Sequence, residues 1–227
     1  MIQANKERRL AFALEYVKWT IQDWMRVIWT DEAAFYIWGF RGRVWITRNP
    51  QEEYSEQCLI PKWQRISHVM VWGAIIADRL GPLVIWDKSW GNITSKAYVE
   101  HITRPVLAPF NDKEKLLCWP HFVFVMQDGA PAHRANNTQA EETKHGINRL
   151  DWPACSPDLN PIETVWRILK KRLQDLPVRP TTIPQMITVL RTVWAELNPQ
   201  VDTLPHVLSM PSRLQAVIAA NGGHTKY

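Results

Sequence analysis

The chain has 227 residues, 46% hydrophobic and 22% charged, and its 27 Lys and Arg against 22 Asp and Glu leave a net charge of +5. That length can bury one substantial core, and the modest positive balance is compatible with a polyanionic partner without demanding one. No stretch approaches the roughly 18–20 uninterrupted apolar residues of a membrane span, charges interrupt the N-terminal MIQANKERRLAFALEY where a signal peptide would be apolar, and Cys58, Cys118 and Cys155 lack disulfide-framework or zinc-site spacing. An intracellular protein with reduced thiols is expected.

Along the chain, Arg8 to Trp24 spaces Leu10, Ala13, Leu14 and Val17 as a helix does, with a break at Trp19-Thr20. Val27-Ile28-Trp29-Thr30 is β-branched and aromatic, a buried strand that closes on Asp31-Glu32, with Phe35 to Trp38 as a continuation. Residues 39–65 read as irregular, with a short strand at Val44 to Thr47. His68 to Ala77 is a strand, Asp78 to Gly81 a turn and Pro82 to Asp87 a second strand, together a hairpin. Thr94 to Leu107 has a helical pattern. Phe122 to Met126 is a continuous apolar run, as in a strand covered on both faces, and it stops at Gln127-Asp128-Gly129.

Pro131 to Lys144 reads as a helix and Ile147 to Leu150 as a short strand. Asn160-Pro161-Ile162-Glu163 is a helix start, with Asn at the cap, Pro at the first position and Glu at the third. That helix should bury Ile162, Val165, Trp166, Leu169 and Leu173. Helices near 183–197 and 204–220 follow, and Gly222-Gly223 stops the last. Most of the 13 tryptophans are expected to pack in the core. Three strands, helix, strand, helix, short strand and then helices define an α/β fold, a mixed sheet flanked by helices in the ribonuclease H-like order.

Three acids sit where a metal site needs them. Asp31 closes the first strand, Asp128 closes the later one, and Glu163 lies in the first turn of a helix. Their ends can meet at one rim of the sheet, and carboxylate oxygens are the ligands that Mg²⁺ prefers. Each acid also has a plainer reading. Asp31 and Asp128-Gly129 suit turns, and Glu163 suits a capping box.

The local sequences WTDEAAF (29–35), MQDGAPAH (126–133) and SPDLNPIETVW (156–166) resemble the three signature blocks of Tc-one/mariner-type DDE transposases. Between Asp128 and Glu163 lie 34 residues, the spacing of the Tc-type branch, and a glutamate in third place favours that branch. The final GGHTKY also resembles the usual end of such proteins. Gly129 departs from the asparagine that many relatives place after the second aspartate.

The resemblance implies that Asp31, Asp128 and Glu163 are the catalytic triad, holding two Mg²⁺ ions for which Mn²⁺ can substitute. It further implies cleavage at transposon ends and strand transfer into TA sites in DNA, by a homodimer that works in the nucleus if the source is eukaryotic. Residues 1–24 then form a linker helix region, and 25–227 a ribonuclease H-like catalytic domain with an inserted loop at about 41–65. No helix-turn-helix pair fits upstream of Asp31, so DNA-binding modules of that kind are expected to be absent. A truncated or domesticated relic that binds DNA without catalysis is the alternative.

His133 is read as a DNA-phosphate contact, a residue that orients a ligand, or a helix-surface histidine. Arg167, Lys170, Lys171 and Arg172 form a basic face that suits the DNA backbone or a solvated surface. Glu32 either tunes the site or faces away from it. Asp158 is read as a turn or capping residue.

Overall fold

The computed structural model describes residues 1–37, 67–118 and 120–227. The expected strand at Val44 to Thr47 and the inserted loop at 41–65 lie outside the described residues. Among the described residues five strands form one sheet: β1 (Val27–Tyr36), β2 (His68–Ile76), β3 (Arg79–Ile85), β4 (Phe124–Met126) and β5 (Asn148–Arg149). Their order is β3-β2-β1-β4-β5, with β1–β3 antiparallel and β4 and β5 joined in parallel. The mixed sheet read from the sequence is present.

β1 is unbroken where the sequence suggested a close at Asp31-Glu32 before a continuation at Phe35. It does not close at Asp31 but runs on to Tyr36, because β2 supplies a partner at every step from Asp31↔Gly73 to Tyr36↔His68. The ladder to β4, by contrast, ends at Trp29↔Met126. Asp31 is therefore a mid-strand residue just beyond the reach of β4. The β2–β3 turn needs only Ala77 and Asp78, since Ala77 adopts φ 45°, so β3 starts inside the expected turn. β4 is shorter than its apolar run, and Phe122 is left exposed.

Helices cover both faces of the sheet. α1 (Gln3–Tyr16) and α2 (Ile21–Trp24) precede the sheet, and Thr20 and Asp23 form a capping box at the break the sequence marks. α3 (Ser95–Tyr98) passes through a π-wound stretch, Val99–Leu107, into α4 (Ala108–Cys118). The helix thus runs well past the expected Leu107. The wide turns accommodate Pro105, which has no N–H to donate and whose ring crowds the preceding turn.

The expected 131–144 helix is two pieces, α5 (Pro131–Arg134) and α6 (Asn136–Lys144), broken where Ala135 takes ψ 141°. α7 (Ile162–Gln174) and α8 (Ile183–Ala195) follow, and the last helical region divides into α9 (Pro199–Asp202), α10 (Leu204–Leu208) and α11 (Met210–Ala219).

Alternation along the strands sorts the core into two layers. Trp29, Val71, Ile75 and Met126 pack with Ile162, Val165, Trp166 and Leu169 of α7, with Leu190 of α8 and with Leu214 of α11. Ile28, Trp72, Ala74, Ile76 and Val125 pack on the opposite face with Tyr98, Ile102, Leu107 and Ala132. Trp24, Trp29, Trp72 and Trp166 are fully buried, so these tryptophans serve packing, as the sequence led one to expect.

Candidate active site

β1 and β4 are paired in parallel up to Trp29 and Met126, and Asp31 and Asp128 each follow two residues beyond that last rung. Asp31 projects from the Trp29 face of the sheet, where α7 lies. Its Oδ2 accepts a hydrogen bond from the Trp166 indole Nε1 at 3.0 Å. Trp166 sits one turn after Glu163, so α7 presents both residues toward Asp31.

The start of α7 is tied to the sheet. Helical bonding begins one residue later than the sequence suggested, with Pro161 already at φ −58°, ψ −32°. Asn160 still serves as the cap, since its Oδ1 accepts from the Ile162 N–H at 3.3 Å and its carbonyl accepts from the Glu163 N–H at 3.3 Å. The Asn160 amide nitrogen donates to the Thr30 carbonyl at 3.3 Å, and the Thr30 hydroxyl donates to the Met126 carbonyl at 2.7 Å. One chain of hydrogen bonds therefore links the Glu163 helix, the residue before Asp31 and the strand that leads to Asp128. Among the described residues the Glu163 carboxylate makes no return bond to the cap, so its side chain is not spent on a capping box.

The electrostatics match that placement. Burial pushes the Asp31 carboxyl well above the ordinary range, and the negative charges of Glu163 and Glu32 push it further, against the Trp166 hydrogen bond. Burial also raises Glu163, partly offset by Lys170 and Arg167. Desolvated carboxylates that repel one another are a site short of positive charge. A cleft of ≈ 970 Å³ opens beside them, lined by Glu32, Phe35, Glu163, Trp166 and Lys170 among others.

Asp128 is held differently. Its Oδ1 accepts from the Ala130 N–H at 2.9 Å and pairs with His133 Nδ1 at 2.7 Å. The His133 bond, with help from Ala130 and the nearby cations, keeps this carboxyl below its usual range. On its other side, His133 Nε2 lies 3.4 Å from Glu32 Oε1. Glu32 alternates with Asp31 along β1, so it points to the opposite sheet face. Asp31 thus belongs to the α7 side, whereas Asp128 is drawn toward His133 and Glu32. Among the described residues no group of three acidic, imidazole or thiolate side chains is gathered as a metal-coordinating set.

The donor chemistry nevertheless fits a hard divalent cation. The carboxylate oxygens of Asp31, with Glu163 near it, and of Asp128 are the kind of ligand that Mg²⁺ or Mn²⁺ accepts.

Two readings of His133 need correction. Its side chain is only 3% exposed, at odds with the helix-surface and DNA-phosphate readings, and its Nδ1 lies against Asp128. In the basic face, Arg167 and Lys170 are exposed and flank Glu163. Lys171 is exposed but bonded to Asp175 at 2.7 Å. Arg172 departs from the group, because its guanidinium is engaged by Asp202 at 2.7 Å and by the Glu196 carbonyl at 3.2 Å. Asp158 makes no capping bond and pairs with Arg9.

Sequence reasoning missed Trp166 and Asn160 as parts of the site. The motif ETVW contained the signal for Trp166, since residues three apart share a helix face.

With this geometry in hand, residues 26–183 match the family model described as DDE superfamily endonuclease, and the chain belongs to that family. It is 33% identical to the Tc1 transposase of Caenorhabditis elegans and 32% identical to the Tcb1 transposase of Caenorhabditis briggsae, each over 98% of this chain and 78% of the relative. Among solved structures, the Mos1 transposase catalytic domain with Raltegravir and Mg superposes with a TM-score of 0.72 at 15% identity, covering 100% of this chain and 99% of that one. The Mos1 paired-end complex with the left transposon end gives 0.74 at 14% identity, covering 100% and 65%. The fold is thus the ribonuclease H-like fold of the Mos1 catalytic domain.

Proposed function

We propose that this chain is the catalytic domain of a cut-and-paste DNA transposase, in which Asp31, Asp128 and Glu163 hold two divalent metal ions. The observation that carries the reading is the juxtaposition of Asp31 and Glu163. The half-buried Glu163 carboxylate of α7 lines an open cleft, Asp31 of β1 lies close enough to feel its charge, and Asp128 follows β4, the strand paired with β1.

Asp31, Asp128 and Glu163 would hold Mg²⁺ or Mn²⁺, which when bound would supply positive charge to activate an attacking oxygen and stabilise a leaving one. Trp166 fixes the orientation of Asp31 through its indole N–H, and Asn160 fixes the start of the helix that carries Glu163. His133, braced by Glu32, orients Asp128. Arg167 and Lys170 offer cations to the DNA backbone beside Glu163, and Lys171 contributes more weakly because Asp175 competes for it.

DNA is the substrate in this reading, at transposon ends and then at TA target sites, and the active assembly is a dimer acting in the nucleus. Support comes from membership of the endonuclease family, from the similarity to Tc1 transposase, and from a fold held in common with Mos1 transposase, itself solved in paired-end and strand-transfer complexes.

The test is cleavage or strand transfer on precleaved DNA ends with Mg²⁺ or Mn²⁺. Wild type should turn over, Ca²⁺ should support little chemistry because its looser shell holds the oxygens less well for in-line attack, and Asp128→Asn should be inactive. Equal activity in wild type and Asp128→Asn would overturn the assignment.

A further inference from the structure

Arg9 of α1 is a buried cation that the metal site does not use, and its side chain is 0% exposed. All five N–H directions of a guanidinium find acceptors. Nε donates to the Gly222 carbonyl at 3.0 Å, and Nη1 donates to the Cys155 carbonyl at 3.2 Å and to Asp158 Oδ1 at 2.7 Å. Nη2 donates to Asp158 Oδ2 at 2.7 Å and to the Gly223 carbonyl at 3.0 Å.

Asp158 is held from two further directions. The Thr225 hydroxyl donates to its Oδ2 at 2.8 Å, and Arg213 Nη1 of α11 donates to its backbone carbonyl at 2.6 Å. The first helix, the last helix and the C-terminal tail therefore converge on one 3₁₀ turn, Pro157–Leu159. That turn ends at Asn160, the residue that caps α7 and bonds to Thr30. Glu163 lies three residues further on.

We propose that Arg9 and Asp158 are positioning residues that set the place of Glu163 through the 157–160 turn, and so tune the affinity of the site for a divalent cation. The proposal rests on the metal-site reading above. A buried ion pair is a poor source of net stability compared with apolar packing of the same shape, and its best-attested use is to specify geometry. Here it specifies the geometry of the one turn from which the Glu163 helix departs. Cys155, whose carbonyl Arg9 also holds, takes φ 58°, an uncommon left-handed conformation for a residue other than glycine. The bidentate fork makes Arg9→Lys a demanding substitution, since an ammonium cannot span both Asp158 oxygens and three further carbonyls.

The test uses Mn²⁺ alone as the probe, with bound and free ion measured by electron paramagnetic resonance well below each variant's melting temperature. Arg9→Lys and Asp158→Asn should each weaken Mn²⁺ binding by about tenfold or more, as partners behind a ligand commonly do. In a Glu163→Gln background the same substitutions should produce no further loss, because they act through Glu163.

Should Arg9→Lys fail to fold, Thr225→Val removes a single bond to Asp158 and should give a smaller loss with the same dependence on Glu163. Unchanged Mn²⁺ affinity in variants with lowered melting temperatures would overturn the proposal and leave a purely structural clasp. Equal losses in both backgrounds would overturn it too. Wild type that binds no Mn²⁺ would instead sink the metal-site reading, and this proposal with it.

Discussion

The indole of Trp166 occupies the space that a side chain at Gly73 would fill. Gly73 is the cross-strand partner of Asp31, and a Cβ at position 73 would stand 2.5 Å from Trp166 Cη2. The missing side chain on β2 lets the ring lie over the sheet and reach Asp31 with its Nε1. Gly73→Ala should therefore displace Trp166, cost about 1–3 kcal/mol as overpacking does, and lower metal-dependent turnover. Thermal melts and single-turnover cleavage read the two effects. A variant with wild-type turnover would show that the indole contact to Asp31 is dispensable.

A second glycine locks the chain end to α1. Gly222 has φ +77°, and a Cβ there would lie 2.0 Å from the Lys6 carbonyl. Gly222→Ala combines left-handed strain with a backbone clash, so it should destabilise by more than about 1 kcal/mol, where an unstrained glycine replacement would stabilise. Denaturant titration measures it, and a loss within about 0.5 kcal/mol, the usual surface range, would contradict the packing described.

Acid should loosen the same corner. Burial alone would raise the Asp158 carboxyl, but hydrogen bonds from Arg9 and Thr225 and the Arg9 charge outweigh it and hold the carboxyl below its ordinary value. A carboxyl lowered on folding contributes its full stability above the unfolded value of about 3.9 and loses it as pH falls through the folded one. The stability gap between wild type and Asp158→Asn should be constant from neutral pH to about pH 5 and shrink below pH 4. A gap that widened on acidification would reverse the sign and refute the pairing.

DNA binding should weaken with salt in proportion to the phosphates contacted. Arg167→Gln and Lys170→Gln should each reduce the slope of log affinity against log salt by about one, with sequence preference unchanged. Arg172→Gln should leave that slope alone and lower stability instead, because its partner is Asp202. Filter-binding titrations from about 50 to 200 mM salt distinguish these outcomes. An Arg172→Gln effect as large as that of Arg167→Gln would return Arg172 to the DNA face.

Most of the sheet was legible because its strands carry alternating or continuous apolar runs, and the buried stripe of α7 was read residue for residue. What local pattern does not encode is where a partner strand stops. The run from Val27 was expected to close on Asp31-Glu32 before a continuation at Phe35, yet β2 carries the ladder unbroken to Tyr36. The helix beyond Leu107 was missed because Pro105 and Pro109 mark breaks locally, whereas the chain absorbs Pro105 in π-type turns.

At the site, the three acids stood out through their motif spacing. Their supports did not, because Arg9 and Asp158 are 149 residues apart, as Thr30 and Asn160 are 130 apart. His133 shows the same limit, since Glu32, which faces its Nε2, comes from β1, far away in the sequence.

The most direct measurement is a crystal structure grown with Mn²⁺, read by its anomalous scattering. The expected result is a peak bounded by the carboxylates of Asp31, Asp128 and Glu163, with the Asp128 side chain facing Asp31. A peak elsewhere, or Glu163 directed away and more than roughly a helix diameter (about 10 Å) from both aspartates, would contradict it.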